Sequence, residues 1–219
     1  MSALGAAGGS RESKSARTRK RILDAGARAF RRDGYAAAAL KDIAALAGLQ
    51  AGSLYYHFGS KEEIVEEVLE VGVEGVSAAT REAVAALGPG ADPLARLRAA
   101  IAAHLKFVLS ESDYAVANIR ILSQVPREIR RRHLKRQRRY GAFWRGLFQD
   151  AARGRRLRAD LELSVVRMLT LGALNWSVEW YDAAGDQKPE DIADLLSTMI
   201  FEGLARHRAG ATTPRSTSR

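Results

Sequence analysis

The sequence predicts an all-α protein, and three observations predict it. Apolar residues recur at i, i+3, i+4 and i+7 along most of the chain, the period of a helix buried on one face. Glycine and proline breaks, such as GPGADP at 88–93 and DAAGDQKP at 182–189, separate these stretches. No strand-like alternation of period two and no internal repeat is visible.

Residues 1–14, MSALGAAGGSRESK, carry no periodicity and are expected to be a flexible tail. A first helix over 16–33 turns Ile22, Ala25, Ala29 and Phe30 inward and ends at Gly34. In 40–47 the residues Leu40, Ile43, Ala44 and Ala47 share one helical face, and Gly48 supplies the backbone freedom of a tight turn. A short helix over 51–58 follows. Ser60 and Glu63 form a capping box that opens a long helix to residue 87. Pro93 and Pro126 sit as first-turn prolines of helices over 93–110 and 126–153, with a shorter helix at 114–123 between them. Residues 162–181 are apolar nearly all round, which predicts burial on two sides. The last helix, 190–207, aligns Ile192, Leu195, Leu196, Met199, Ile200, Gly203 and Leu204 on one stripe, and 210–219 reads as a disordered tail.

Of the 219 residues 47% are hydrophobic, enough for a substantial core. The absence of cysteine excludes disulfides and thiol chemistry and fits a reducing cytoplasm. No apolar run approaches a membrane span, so no membrane partner is expected. The net charge of +10 favours a polyanionic partner, and its distribution is uneven. Residues 1–64 hold 11 Lys+Arg against 6 Asp+Glu, whereas 127–158 hold 13 against 2.

Two short helices around a glycine turn, the second crowded with Ser53, Tyr55, Tyr56 and His57, form a helix-turn-helix. The second helix of this motif enters the major groove of DNA. IAALAG followed by GSLYYHFGSKEE resembles the N-terminal signature of the TetR family of bacterial repressors, over about residues 16–63. The resemblance implies a DNA-binding domain over 15–63 and a ligand-binding and dimerisation bundle over 64–209. It implies phosphate contacts from Tyr55, His57 and Lys61 and close groove approach at Gly52 and Ser53. Gln50 and Tyr56 are candidates for base or methyl contacts, and Lys41 and Ala51 complete the expected DNA-facing set. The chain departs from the family pattern where a Thr or Ser usually caps the first helix of the motif: these positions are Ala38 and Ala39. Gln50 and Ala51 likewise replace the usual Ser and basic residue. The basic residues from Arg11 to Arg21 are expected to compensate for the lost contacts.

One recognition helix reads few base pairs, so a homodimer on a near-palindromic double-stranded operator is expected. In resembling repressors the subunits join through the final helices, here 190–207 with part of 162–181; a purely intramolecular core is the other reading. Candidate effector-lining residues are Phe107, Tyr114, Ile119, Leu122, Phe143, Trp144, Leu147, Met168, Leu171, Asn175, Trp176 and Trp180. The segment NWSVEWYDAAGDQKPEDIADLLSTMIFEGL resembles the C-terminal part of TetR-type regulators of fatty-acid and sterol breakdown, which respond to acyl-CoA thioesters. Arg130, Arg131, Arg132, Lys135, Arg138 and Arg139 precede Tyr140, Phe143 and Trp144 on one helix, cations beside apolar residues as a CoA ligand requires. A solvated arginine-rich face is the plainer reading. Lipophilic cations are the alternative effector class, and a regulator without effector is a third.

The four histidines lie apart without metal-ligand spacing, and no GxSxG, glycine-rich phosphate loop or HExxH occurs. No enzyme activity, cofactor or metal is expected.

Overall fold

A computed structural model describes residues 14–111 and 113–204. Its regular elements are helices: α1 Lys14–Ala37, α2 Leu40–Leu46, α3 Ala51–His57, α4 Lys61–Ala85, α5 Pro93–Lys106, α6 Asp113–Ile121, α7 Arg127–Arg153, α8 Leu163–Trp180 and α9 Pro189–Leu204. A π-turn, Phe107–Glu111, follows α5. The expected tails, apart from Lys14, and the end of the last helix lie outside the described residues.

The chain forms two compact units, and they cut it differently from the functional division expected at residue 63. One unit contains α1–α3, α4 as far as Ala78, and residues 110–139. The other contains residues 79–109 and 140–204. Helices α4 and α7 therefore contribute to both.

In the first unit Ile22, Ala25, Ala29 and Phe30 of α1 pack with Ile43, Leu54, Phe58, Ile64, Val68, Leu69, Ala117 and Ile121, all buried. Gly34 ends the regular part of α1 with φ 76°, and Gly48 adopts φ 65° in the turn between α2 and α3, the left-handed region glycine enters without strain. Ser60 Oγ accepts from Glu63 N at 3.2 Å, half of the expected capping box. The other half is displaced by one residue: the Glu63 carboxylate takes Gly59 N at 2.8 Å.

In the second unit α5 packs against α8 and α9. Its core includes Leu97, Ile101, Leu105, Trp144, Leu147, Phe148, Leu174, Ala193 and Phe201. Asp92 caps α5 by accepting from Leu94 N (3.1 Å) and Ala95 N (3.3 Å), beside Pro93 at the first position. Arg156 holds the same carboxylate below its usual range.

Within the single chain two helices keep an apolar side open. Helix α8 is not buried on two sides: only Thr170, Leu174 and Ser177 are buried, while Val165, Met168, Leu169, Trp176 and Trp180 stand in water. The single stripe of α9 divides in the same way. Ile192, Ala193, Ser197 and Phe201 face the unit, and Leu195 and Met199 face out. Helices apolar on both sides need two partners, and one folded chain supplies only one.

Candidate nucleic-acid interface and a buried polar cluster

Helix α3 is anchored by Leu54, fully buried, and by Phe58 just beyond its end. Its other side is open. Tyr56 is 84% exposed and Tyr55 57%; Lys41, Gln50, Ala51, Gly52 and Ser53 are exposed as well. The His57 ring meets the edge of Tyr56 at 5.1 Å. A Cβ at Gly52 would meet nothing within 4 Å, so nothing inside the chain requires glycine there. Neither Ala39 nor Gln50, the cap positions of α2 and α3, makes a side-chain cap bond.

Of the basic residues expected to compensate through DNA, Arg11 lies outside the described residues, and Arg19, Lys20 and Arg21 bond inside the unit. Arg19 donates to His57 O at 2.7 Å, pairs with Glu67, and lies 4.0 Å over the Phe58 ring. It thereby ties the end of α3 to α4. Arg21 donates to Ala47 O and Gly48 O in the turn, and Lys20 pairs with Asp24. Lys61 Nζ donates to Ala38 O (2.7 Å) and Ala36 O (3.3 Å) and sits 4.5 Å over Tyr35. Tyr35 in turn donates to Glu62 at 2.7 Å; burial, then that carboxylate, push its phenol up to about 12. Backbone carbonyls near helix ends are strong acceptors, so nearby cations are drawn to them. Sequence spacing alone does not reveal this competition.

The candidate effector residues are divided between the two units. Tyr114, Ile119, Leu122 and Arg139 belong to the first unit. There Tyr114 and Leu122 pack on the core of that unit, and Tyr114 donates to Asp24 at 2.7 Å. Met168, Trp176 and Trp180 are on the exposed side of α8. Phe107, Phe143, Trp144, Leu147, Leu171 and Asn175 remain in the second unit. The basic segment is also partly engaged: Arg132 and Arg136 pair with Glu66, Arg136 also with Glu70, and Arg131 with Glu128.

Within the second unit a polar chain crosses four helices. Thr80 and Tyr140 share a hydrogen bond of 2.9 Å, Tyr140 Oη and His104 Nδ1 one of 2.7 Å, and His104 Nε2 and Asn175 Oδ1 one of 3.2 Å. Burial drives His104 down to about 4 and Tyr140 up to about 12, so both are neutral at pH 7. Trp144 presents its ring edge-on to His104 (6.0 Å) and Tyr140 (6.2 Å). Its fully buried indole N–H is close enough to favour the ionised form of Tyr140 electrostatically, yet reaches no acceptor in hydrogen-bonding geometry. His104 escaped the sequence reading, although its place among Leu97, Ala100, Ile101 and Leu105 on the buried face of α5 marks it as an inward-facing polar group.

Residues 22–68 match the model of bacterial regulatory proteins of the tetR family, and residues 90–204, more than half of the chain, match the tetracyclin repressor-like C-terminal domain. The chain belongs to the TetR family. It is a DNA-binding regulator of transcription, not an enzyme. Among relatives, the HTH-type transcriptional repressor KstR2 of Rhodococcus jostii is 28% identical over 199 residues, 85% of this chain and 91% of that protein. The ketosteroid transcriptional regulator KstR2 of Mycobacterium tuberculosis shares the fold at a TM-score of 0.76 with 24% identity, over 86% of this chain and 95% of that one. AibR, solved with isovaleryl coenzyme A and operator DNA, shares it at 0.75 with 23% identity, over 84% and 98%. Among the described residues of this TetR-family chain no helix is long and apolar enough to cross a membrane, and no group of side chains is placed to hold a metal ion.

Proposed function

We propose that this protein is a homodimeric repressor that binds a palindromic operator in the cytoplasm and is released by a hydrophobic effector of the acyl-CoA thioester class. One observation carries the dimer. Met168, Leu169, Trp176 and Trp180 of α8 with Leu195 and Met199 of α9 are each more than half exposed, and α8 carries its four at i, i+1, i+8 and i+12, along one side. A regulator alone in water rarely keeps such a surface uncovered. A second copy offers the same face, and two-fold pairing is the common solution. Two recognition helices then present Tyr55, Tyr56 and the open Gly52 face to successive major grooves.

Two considerations support the effector class. The C-terminal segment resembles regulators that respond to acyl-CoA, and AibR, of the same fold, was solved with isovaleryl coenzyme A. Release requires the ligand to prefer the non-binding conformation, since equal affinity for both states shifts nothing.

The test is fluorescence anisotropy on the protein's own upstream DNA at several salt concentrations, with and without palmitoyl-CoA. Selective, salt-sensitive binding that palmitoyl-CoA abolishes, and that palmitate and free CoA leave intact, is the expected result. Selective binding indifferent to palmitoyl-CoA overturns the effector assignment and leaves the repressor.

A further inference from the structure

We infer that the Trp144–Tyr140–His104–Asn175 cluster reads a carbonyl oxygen of the effector, a thioester or ketone, and rejects organic cations. This rests on the reading that the second unit takes an effector, and it names the chemistry by which it does so.

The proton positions follow from the partners. Asn175 Oδ1 can only accept, so His104 Nε2 carries a hydrogen and donates to it. His104 Nδ1 then accepts from Tyr140, whose oxygen accepts from Thr80. Every link in this chain is matched and none is charged. The indole N–H of Trp144 is the exception: its ring is fully buried and the donor is unmatched. Buried donors are almost always paired, and one left without an acceptor beside a matched polar chain calls for an explanation. An acceptor oxygen brought by a ligand would satisfy it.

The surroundings suit entry by a greasy molecule. Phe107, Phe143, Leu171 and Asn175 of the same unit are only half-buried. Three residues after His104 the backbone of α5 opens into the π-turn Phe107–Glu111, a wide geometry common at functional sites. The cluster also sets the sign of the ligand. With His104 neutral at pH 7 and Arg81 the cation nearest Tyr140, 4.4 Å over the Phe143 ring, a quaternary ammonium entering here would be buried beside a like charge and without a counter-ion. A carbonyl brings an acceptor and no charge.

The experiment compares dodecanoyl-CoA with S-dodecyl-CoA, in which a methylene replaces the carbonyl, and adds 2-undecanone and dodecyltrimethylammonium as small probes. Binding to the full chain is measured by calorimetry and by the indole N–H signals of the three tryptophans in NMR, assigned with Trp176→Phe and Trp180→Phe. Dodecanoyl-CoA should bind about tenfold tighter than S-dodecyl-CoA, the worth of one hydrogen bond. Dodecanoyl-CoA and 2-undecanone should move the Trp144 signal downfield, and dodecyltrimethylammonium should not. Trp144→Phe, which keeps an aromatic ring, should erase the preference and leave S-dodecyl-CoA affinity unchanged. Equal binding of thioester and thioether, a Trp144 signal that no carbonyl probe moves, or a preference that survives in Trp144→Phe overturns the inference, whatever happens at the operator. A Trp144 shift with 2-undecanone, together with an operator complex that ignores dodecanoyl-CoA, upholds the carbonyl site and discards the CoA assignment.

Discussion

The two compact units leave different kinds of side chain in water. In the first, the most exposed large apolar groups are Tyr56 and Tyr55, whose phenols can keep a hydrogen bond to water. In the second they are Leu169, Trp176, Met199, Met168 and Leu195, of which all but the tryptophan have no polar handle at all. An amphipathic surface can be wet in one state and covered in another, as a surface that binds and leaves DNA must be. A surface of leucine and methionine costs free energy whenever it is wet. The first pattern suits a reversible contact, and the second a permanent one.

The sharpest way to break this contrast is to charge the second surface. Leu169→Glu with Met199→Glu should give a monomer in light scattering and lower operator affinity by more than about a hundredfold, on the order of 3 kcal/mol, because one half-site is lost. A dimer that survives both changes would remove the distinction between the units.

Each unit also buries one neutral imidazole, His133 in the first and His104 in the second, and burial lowers both to about 4. Unfolding lets each rise to the ordinary value near 6.5, so the unfolded chain binds more protons. Stability is therefore fully present above about pH 6.5 and falls as pH drops toward 4, by about 3 kcal/mol for each group. Urea unfolding at pH 7 and pH 4.5 measures the loss. The same two residues part company on substitution. His104 is bonded at both nitrogens, whereas neither nitrogen of His133 has a partner. His104→Leu should cost about 1–3 kcal/mol by stranding Tyr140 and Asn175, while His133→Leu should cost nothing or stabilise.

Tyr55→Ala and Tyr56→Ala test the reversible surface. Each should weaken the operator complex about tenfold, or about 1.4 kcal/mol, and leave the melting temperature unchanged, since both rings are more than half exposed and outside the core. A fall in melting temperature would mean that these rings serve the fold. The smallest effect belongs to Ala39→Thr: restoring a cap to α2 should raise stability by about 1 kcal/mol, read by thermal melting.

The amino-acid sequence by itself determined the helices, because periodicity, Gly34, Gly48, Pro93 and the Ser60–Glu63 pair are local signals read within a few residues. It also determined the family and the exposed face of α3, since a motif of fixed spacing carries its own geometry. Only the tertiary structure decided which charges are available. Arg19, Arg21 and Lys61 read as DNA ligands in sequence, yet they bond to carbonyls at His57, Ala47 and Ala38, contacts that span 23 to 38 residues. It decided equally that Tyr114 serves the first unit's core and that Thr80, His104, Tyr140 and Asn175 meet. Hydrogen-bond partners brought from four helices leave no periodic trace in any one of them. The two-sided apolar pattern of α8 was legible in the sequence, but a helix coated on both sides does not reveal whether its second partner is the same chain or another.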